Sequence, residues 1–313
     1  MMGLIKDVST RTGLSAPSCR RIAHSAYKRY KFFLLPKKSG GQRLVAQPAR
    51  EVKEVQRAIC SIIAPLLPIH RCATAYNSGN SIIKNAELHL GAKYLTKLDF
   101  SEFFPSIEER TVRALLSRNI NEISDSEATF IIRACMWRPR GRFELCLGAP
   151  SSPFISNAVM YDFDSLVADI CSSKGVIYSR YSDDITISCD RPDTLGAVES
   201  EMQKVISSHA LPRLTLNNSK RVAVGRSAAM RVTGLTLANN GVLTVGRERK
   251  RGVRAGVSRY AKGLLPQEDF ERLKGELAFV LSVEPTYKRT LLRTYGARIF
   301  PLLPRVKDSA LQY

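Results

Sequence analysis

The chain has 313 residues, 44% of them apolar, with 48 Lys and Arg against 28 Asp and Glu and a formal net charge of +20. That length and apolar content suffice for one large domain or two to three subdomains with a substantial core, so the chain should be globular. Such an excess of positive charge points to a polyanionic partner, nucleic acid before membrane, because no stretch reaches 18 uninterrupted apolar residues and the N-terminus lacks a signal-peptide apolar segment.

Seven cysteines are scattered at positions 19, 60, 72, 135, 146, 171 and 189, with no C-x-x-C pair and no zinc-finger histidine spacing. Reduced, mostly buried thiols in a cytoplasmic protein are expected. Residues 1–50 carry eleven Lys/Arg and one acid, Asp7, and residues 213–262 carry twelve and one acid, Glu248. Basic flanks around an acidic middle suit a protein that grips phosphates outside and holds divalent metal inside.

In chain order, the first thirty residues read as helices with a turn at Gly13, a pattern compatible with a helix-turn-helix. Residues 32–35 and 44–46 are short strands about the turn sequence PKKSGGQR (residues 36–43), and helix returns over 51–63 and 80–90. A strand over 94–98 ends at Asp99. Two helices fill 108–136, the second starting near Ser124 and Asp125; residues 137–147 suggest another hairpin; and 151–172 reads as one helix with Pro153 in its first turn. Strands 176–181 and 185–188 flank a tight turn, followed by a helix over 194–208 and strands over 214–216, 231–237 and 242–245. The remainder alternates helical segments, beginning with GRERKRGVRAGVSRYAK.

Two segments carry the chemistry: TKLDFSEFFPSI (residues 96–107) and RYSDDITIS (residues 180–188). Each places Asp immediately after an apolar strand, and adjacent carboxylates at a strand turn are costly unless a cation lies between them. Phosphoryl transfer from a nucleoside triphosphate needs two hard cations roughly 3.5–4 Å apart, one lowering the pKa of the attacking hydroxyl and one shielding pyrophosphate. Asp99 and Asp183 are therefore expected to bridge two Mg²⁺ ions, with Mn²⁺ able to substitute, and Asp184 to support or complete the site.

These segments resemble the reverse transcriptases: Tyr181-Ser182-Asp183-Asp184 is similar to that superfamily's Tyr-x-Asp-Asp turn, and Asp99 with Phe103-Phe104 to its other metal motif. The resemblance implies an α+β right-hand polymerase fold with fingers and N-terminal helices over 1–93, an antiparallel palm sheet over 94–238 interrupted by a fingers insertion near 108–147, and a helical, RNA-binding thumb over 239–313. It makes Phe104 the residue under the incoming sugar, where a bulky ring selects deoxynucleotides. LGAPSSPFISN (residues 147–157) resembles the family's Gln-Gly-x-x-x-Ser-Pro loop, with Leu147 where Gln is usual; Gly148 permits close backbone approach and Ser151 opens a helix suited to anions. Lys38, with Lys37 as its rival, and Arg43 in the hairpin are expected on the triphosphate. Lys220, in LTLNNSK (residues 214–220), is placed to protonate pyrophosphate.

Two further segments narrow the resemblance to bacterial retron enzymes: NAELH (residues 85–89) looks like their Asn-Ala-x-x-His signature, with Asn85, Ala86 and His89, and RVTGL (residues 231–235) like their Val-Thr-Gly motif, with Val232, Thr233 and Gly234. The resemblance spans nearly the whole chain and leaves no room for an endonuclease, maturase or RNase H domain, which favours a retron over a group II intron or diversity-generating enzyme. It implies an RNA-directed DNA polymerase that uses dNTPs, primes from a 2′-hydroxyl of its cognate structured non-coding RNA (msr-msd), makes branched msDNA, and serves anti-phage defence through a separate effector protein. In the basic C-terminal stretch, Arg247, Arg249, Lys250, Arg251, Arg254, Arg259 and Lys262 are expected to track the RNA backbone, with Tyr260 a candidate for base stacking. The contrasting reading is a non-catalytic RNA-binding scaffold, which would gain nothing from three clustered carboxylates.

Overall fold

The computed structural model describes residues 3–36, 40–208 and 211–304. Lys37 and Lys38 lie outside the described residues.

The N-terminal pattern folds as α1 (Leu4–Thr12) and α2 (Ala16–Ser25), separated by Gly13 in the left-handed conformation at φ 71° and capped anew by Ser15. Leu4, Val8, Cys19 and Ile22 are buried against α3 (Arg50–Ile63) and the later helix over Asp125–Cys135, so the pair is a scaffold rather than a groove reader. Strands β1 (Tyr30–Pro36) and β2 (Gln42–Pro48) form an antiparallel hairpin, with Tyr30 across from Pro48. After α3 a loop leads to the short helix α4 (Ile82–Glu87), whose N-terminus is capped by Ser81.

The palm is a four-stranded antiparallel sheet in the order β4 (Ile177–Tyr181), β5 (Asp184–Cys189), β3 (Tyr94–Asp99) and β6 (Val222–Gly225). Leu95 of β3 belongs to one hydrophobic core and Leu98, on the opposite face, to the other. Between β3 and β4 come α5 (Phe103–Ser106), α6 (Glu109–Asn119), α7 (Asp125–Cys135), α8 (Ser152–Val159) and α9 (Tyr161–Ser173). Helix α7 starts at Asp125, where the sequence placed it, and Ser124 and Glu127 close a reciprocal capping box on it. Helix α10 (Pro192–Ser208) covers the sheet. Strands β7 (Arg231–Val232), β8 (Leu235–Leu237) and β9 (Leu243–Thr244) form a small meander leading into α11 (Arg247–Ala261), α12 (Phe270–Val283) and α13 (Tyr287–Tyr295).

This is the expected α+β right-hand fold, with local corrections. The expected helix over 151–172 is broken at Met160, which ends α8 and starts α9 at φ −81°, ψ 1°. The expected strand over 214–216 reduces to one bridge between Leu216 and Phe100, while β6, unexpected, forms the sheet edge beside β3. The expected strand over 231–237 is a hairpin, because Thr233 and Gly234 turn at φ 47° and 82°. In the expected hairpin over 137–147 only Trp137 and Glu144 bridge. The core under α11–α13 takes in Met230 and Val232 as well as Ala86 of α4, Ala92 and Leu95 of β3.

All seven cysteines are free, five buried and two half-buried. Among the described residues no helix is long and apolar enough to cross a membrane.

Candidate active site

The antiparallel register brings the three carboxylates together: Asp99, at the end of β3, lies directly across from Asp184, the first residue of β5. Asp183 occupies the two-residue turn between β4 and β5, after Ser182 at φ 61°. The Phe100 amide donates to the Asp183 carbonyl at 3.3 Å, joining the two motifs through the backbone.

Burial pushes the Asp183 carboxyl up, and the negative charge of Asp99 adds to the rise; the cations Lys220 and Arg43 pull it down. Asp184 is pushed up to about 6, first by burial and then by Asp183 and Asp99. The Lys220 ammonium donates to both Asp99 oxygens, at 2.8 and 3.0 Å. Among the described residues no three acidic, histidine or cysteine side chains already form a metal cage. A Mg²⁺ ion is ordinarily held by one or two carboxylates together with substrate phosphates and water rather than by an all-protein cage, and a desolvated acidic cluster with a lysine seated on one member fits that mode.

A cavity of about 330 Å³ is lined by Tyr76, Phe104, Leu147, Gly148 and Ser152, with Lys53 and Arg57 of α3 on its wall, and it adjoins the Asp183 turn through Tyr76, whose hydroxyl bonds Ser182. Phe103 stacks on Phe100 at 5.7 Å and is core, whereas Phe104, 9% exposed, presents an edge to the cavity. Gly148 has φ 111°, and a Cβ there would lie 2.8 Å from the Ala46 carbonyl oxygen, so its close approach is to β2. The Ala46 amide donates to the Leu147 carbonyl at 2.8 Å, tying the loop to the fingers hairpin.

Ser151 is a correction. It is fully buried and its hydroxyl donates to the Cys135 carbonyl at 3.0 Å, which turns it away from the cavity that Ser152 lines. The seven thumb cations also divide. Arg249 lies 3.5 Å from Glu276 and over the Phe279 ring, and Lys250 pairs with Glu284 at 2.8 Å, so both have partners within the thumb. Arg247, Arg251, Arg254 and Arg259 are exposed along α11, and Lys262 is exposed just past its end. Tyr260 packs against Phe270 at 5.6 Å.

The two short motifs meet around α4. Asn85 accepts from the Thr74 hydroxyl at 2.7 Å, Ala86 is fully buried, and the Thr233 hydroxyl donates to the Ile82 carbonyl at 2.9 Å beside buried Val232 and the Gly234 turn. His89, fully buried, pairs its ring nitrogens with the hydroxyls of Ser188 on β5 and Ser179 on β4, at 2.7 and 2.8 Å. It is a staple across the hairpin that carries Asp183. Burial lowers its pKa from 6.5 to about 4. The unfolded chain therefore binds a proton that the folded chain refuses, and stability present above pH 6.5 should fall by about 3 kcal/mol on acidification to pH 4. Urea midpoints at pH 7.5 and 5 should show this component in the wild type and not in His89→Gln.

Sequence reading missed Arg180 and Asp164, which form a fully buried ion pair at 2.6 Å behind the turn. The legible signal was an acid on the buried stripe of α9, with Phe163 and Val167, matched by a base at an inward position of β4. Lys53 and Arg57 were missed because an amphipathic helix face gives no sign of the cavity it borders.

The fold and the carboxylate geometry define a nucleic-acid polymerase, and the chain belongs to the reverse transcriptase (RNA-dependent DNA polymerase) family, whose model matches residues 35–237. It is 37% identical to the retron Ec83 reverse transcriptase of Escherichia coli, over 85% of this chain and 87% of that one. It is 28% identical to the retron Ec86 reverse transcriptase of the same organism, over 96% and 90%. Within the family the chain is thus a retron reverse transcriptase, and an RNA-directed DNA polymerase. A solved apo telomerase from Candida tropicalis truncated from its C-terminal domain aligns at TM-score 0.48 and 14% identity, covering 74% of this chain and 60% of that one.

Proposed function

We propose that this reverse transcriptase starts DNA synthesis from an internal 2′-hydroxyl of its own structured non-coding RNA, yielding branched msDNA, and that it acts with a separate effector protein in defence against phage. The observation that carries the catalytic part is the convergence of Asp99, Asp183 and Asp184 beside the Phe104 cavity. Retron relatives and the exposed cations Arg247, Arg251, Arg254 and Arg259 on α11, with Lys262 just past it, support the structured-RNA part.

Asp99 and Asp183 would hold two Mg²⁺ ions, with Asp184 completing the set; when bound, the metals lower the pKa of the attacking hydroxyl and shield the leaving pyrophosphate. Phe104 forms the wall against which the sugar rests. Lys53, Arg57 and Arg43 supply cations for triphosphate or template phosphates, and Lys220, once released from Asp99, can give its proton to pyrophosphate. Labelled dNTP incorporation into the copurifying RNA tests this reading: the signal should vanish with chelator and return with Mg²⁺. Incorporation that persists after exhaustive chelation would contradict it.

Replacing Phe104 with Ala should raise ribonucleotide use relative to deoxynucleotide by about tenfold or more, because the ring no longer crowds the 2′-hydroxyl. Sugar discrimination in single-turnover assays checks this, at a temperature low enough to allow for a packing loss of about 3 kcal/mol. Unchanged discrimination in a folded variant would move the gate elsewhere.

A further inference from the structure

We propose that Arg180, anchored by Asp164, and Tyr76 are positioning residues that fix the backbone on which Asp183 sits. The Arg180 guanidinium is fully buried and spends two nitrogens on Asp164, Nε to Oδ1 at 2.8 Å and Nη2 to Oδ2 at 2.6 Å. Its third nitrogen, Nη1, donates to the Ser182 carbonyl at 2.9 Å and to the Asn157 side-chain oxygen at 3.2 Å. That carbonyl belongs to the peptide group joining Ser182 to Asp183. The next peptide group is held as well, since the Asp183 carbonyl accepts from the Phe100 amide. Both peptide planes flanking Asp183 are thereby fixed, and only its side-chain torsions remain free.

Ser182 adopts φ 61°, a conformation that a residue with a side chain keeps only when its surroundings hold it. Two hydrogen bonds do so from opposite sides: Arg180 on its carbonyl from within the core, and the Tyr76 hydroxyl on its hydroxyl at 3.1 Å from the cavity wall. A buried ion pair is a poor device for stability alone, because well-packed apolar residues do as well or better. A guanidinium fork locked by a carboxylate is, in contrast, well suited to presenting one N–H at a fixed point. Lysine at 180 keeps the charge but offers one nitrogen where three are used, and a displacement of about 1 Å at a catalytic group can cost about a hundredfold in rate.

This inference rests on the reading of Asp183 as a metal ligand, so Asp183→Asn belongs in the same series. Steady-state kcat, KM for dNTP, half-saturating Mg²⁺ and thermal midpoint are measured for Arg180→Lys, Asp164→Asn and, as a comparator destabilised in the core away from the turn, Val198→Ala. Arg180→Lys should lower kcat by about thirtyfold or more, leave KM for dNTP within about threefold and raise the Mg²⁺ requirement. Val198→Ala should lower the midpoint without changing kcat below it. A second arm leaves the buried pair intact: Ser182→Ala and Tyr76→Phe should each lower kcat several-fold, and the double variant no further than either, since one bond is removed. Folded Arg180→Lys with kcat within threefold of wild type, or kcat following the midpoint across the series, overturns the proposal. Should Arg180→Lys not fold, the hydroxyl arm decides, and unchanged kcat there also overturns it. An active Asp183→Asn would instead sink the metal-ligand reading itself.

Discussion

Asp183→Asn is expected to lower nucleotide incorporation by about a thousandfold or more while leaving RNA affinity within a few-fold, because a metal ligand supplies several kcal/mol of transition-state stabilisation and each tenfold in rate is about 1.4 kcal/mol. The substitution is nearly isosteric. It also removes one negative charge from a cluster in which burial and Asp99 already push the Asp183 carboxyl up. With no metal bound, the variant should therefore be at least as stable as the wild type. Single-turnover incorporation, filter binding of RNA and thermal midpoint with chelator check the three parts. An inactive variant that also unfolds and releases RNA would show that Asp183 serves the fold.

Charge reversal at Arg251 and Arg254 should abolish synthesis on the cognate structured RNA and spare much of the activity on a pre-annealed primer and template at low salt. Both side chains are exposed on α11, and neither is in contact with the carboxylates. Base pairing delivers a 3′-hydroxyl to the site by itself, whereas an internal 2′-hydroxyl has to be held there by the protein. Wild-type binding should weaken steeply with salt, and the double variant's log–log slope should be less steep by about two units, one for each phosphate that is no longer neutralised. Equal loss on both substrates would assign these arginines to general duplex binding.

How far the molecule could be read from its sequence follows from the range over which each signal acts. The Asp99 and Asp183-Asp184 motifs end apolar strands, so local pattern located them, and sheet pairing places Asp99 opposite Asp184. The α11 basic stretch was legible as a charge excess, but the partners of Arg249 and Lys250 are Glu276 and Glu284 on another part of the thumb, which no local pattern reveals. Ser151 and Ser152 are adjacent, alike and both buried, and only tertiary packing decides which one lines the cavity. Gly148 was expected to permit close approach; the group that approaches is β2, distant in sequence. Strand β6 was missed because four residues at a sheet edge, in the burial pattern of Val222 and Ala223 exposed with Val224 and Gly225 half-buried, carry too little alternation to register.

The most direct test of the central claim is the mobility, before and after treatment with debranching enzyme, of the nucleic acid that copurifies with the wild-type protein. A reverse transcriptase that primes from an internal 2′-hydroxyl yields an RNA–DNA species joined at a 2′,5′ linkage, so debranching should release a faster-migrating DNA, and Asp183→Asn should copurify with RNA alone. Copurifying DNA whose mobility is the same before and after debranching would contradict the account.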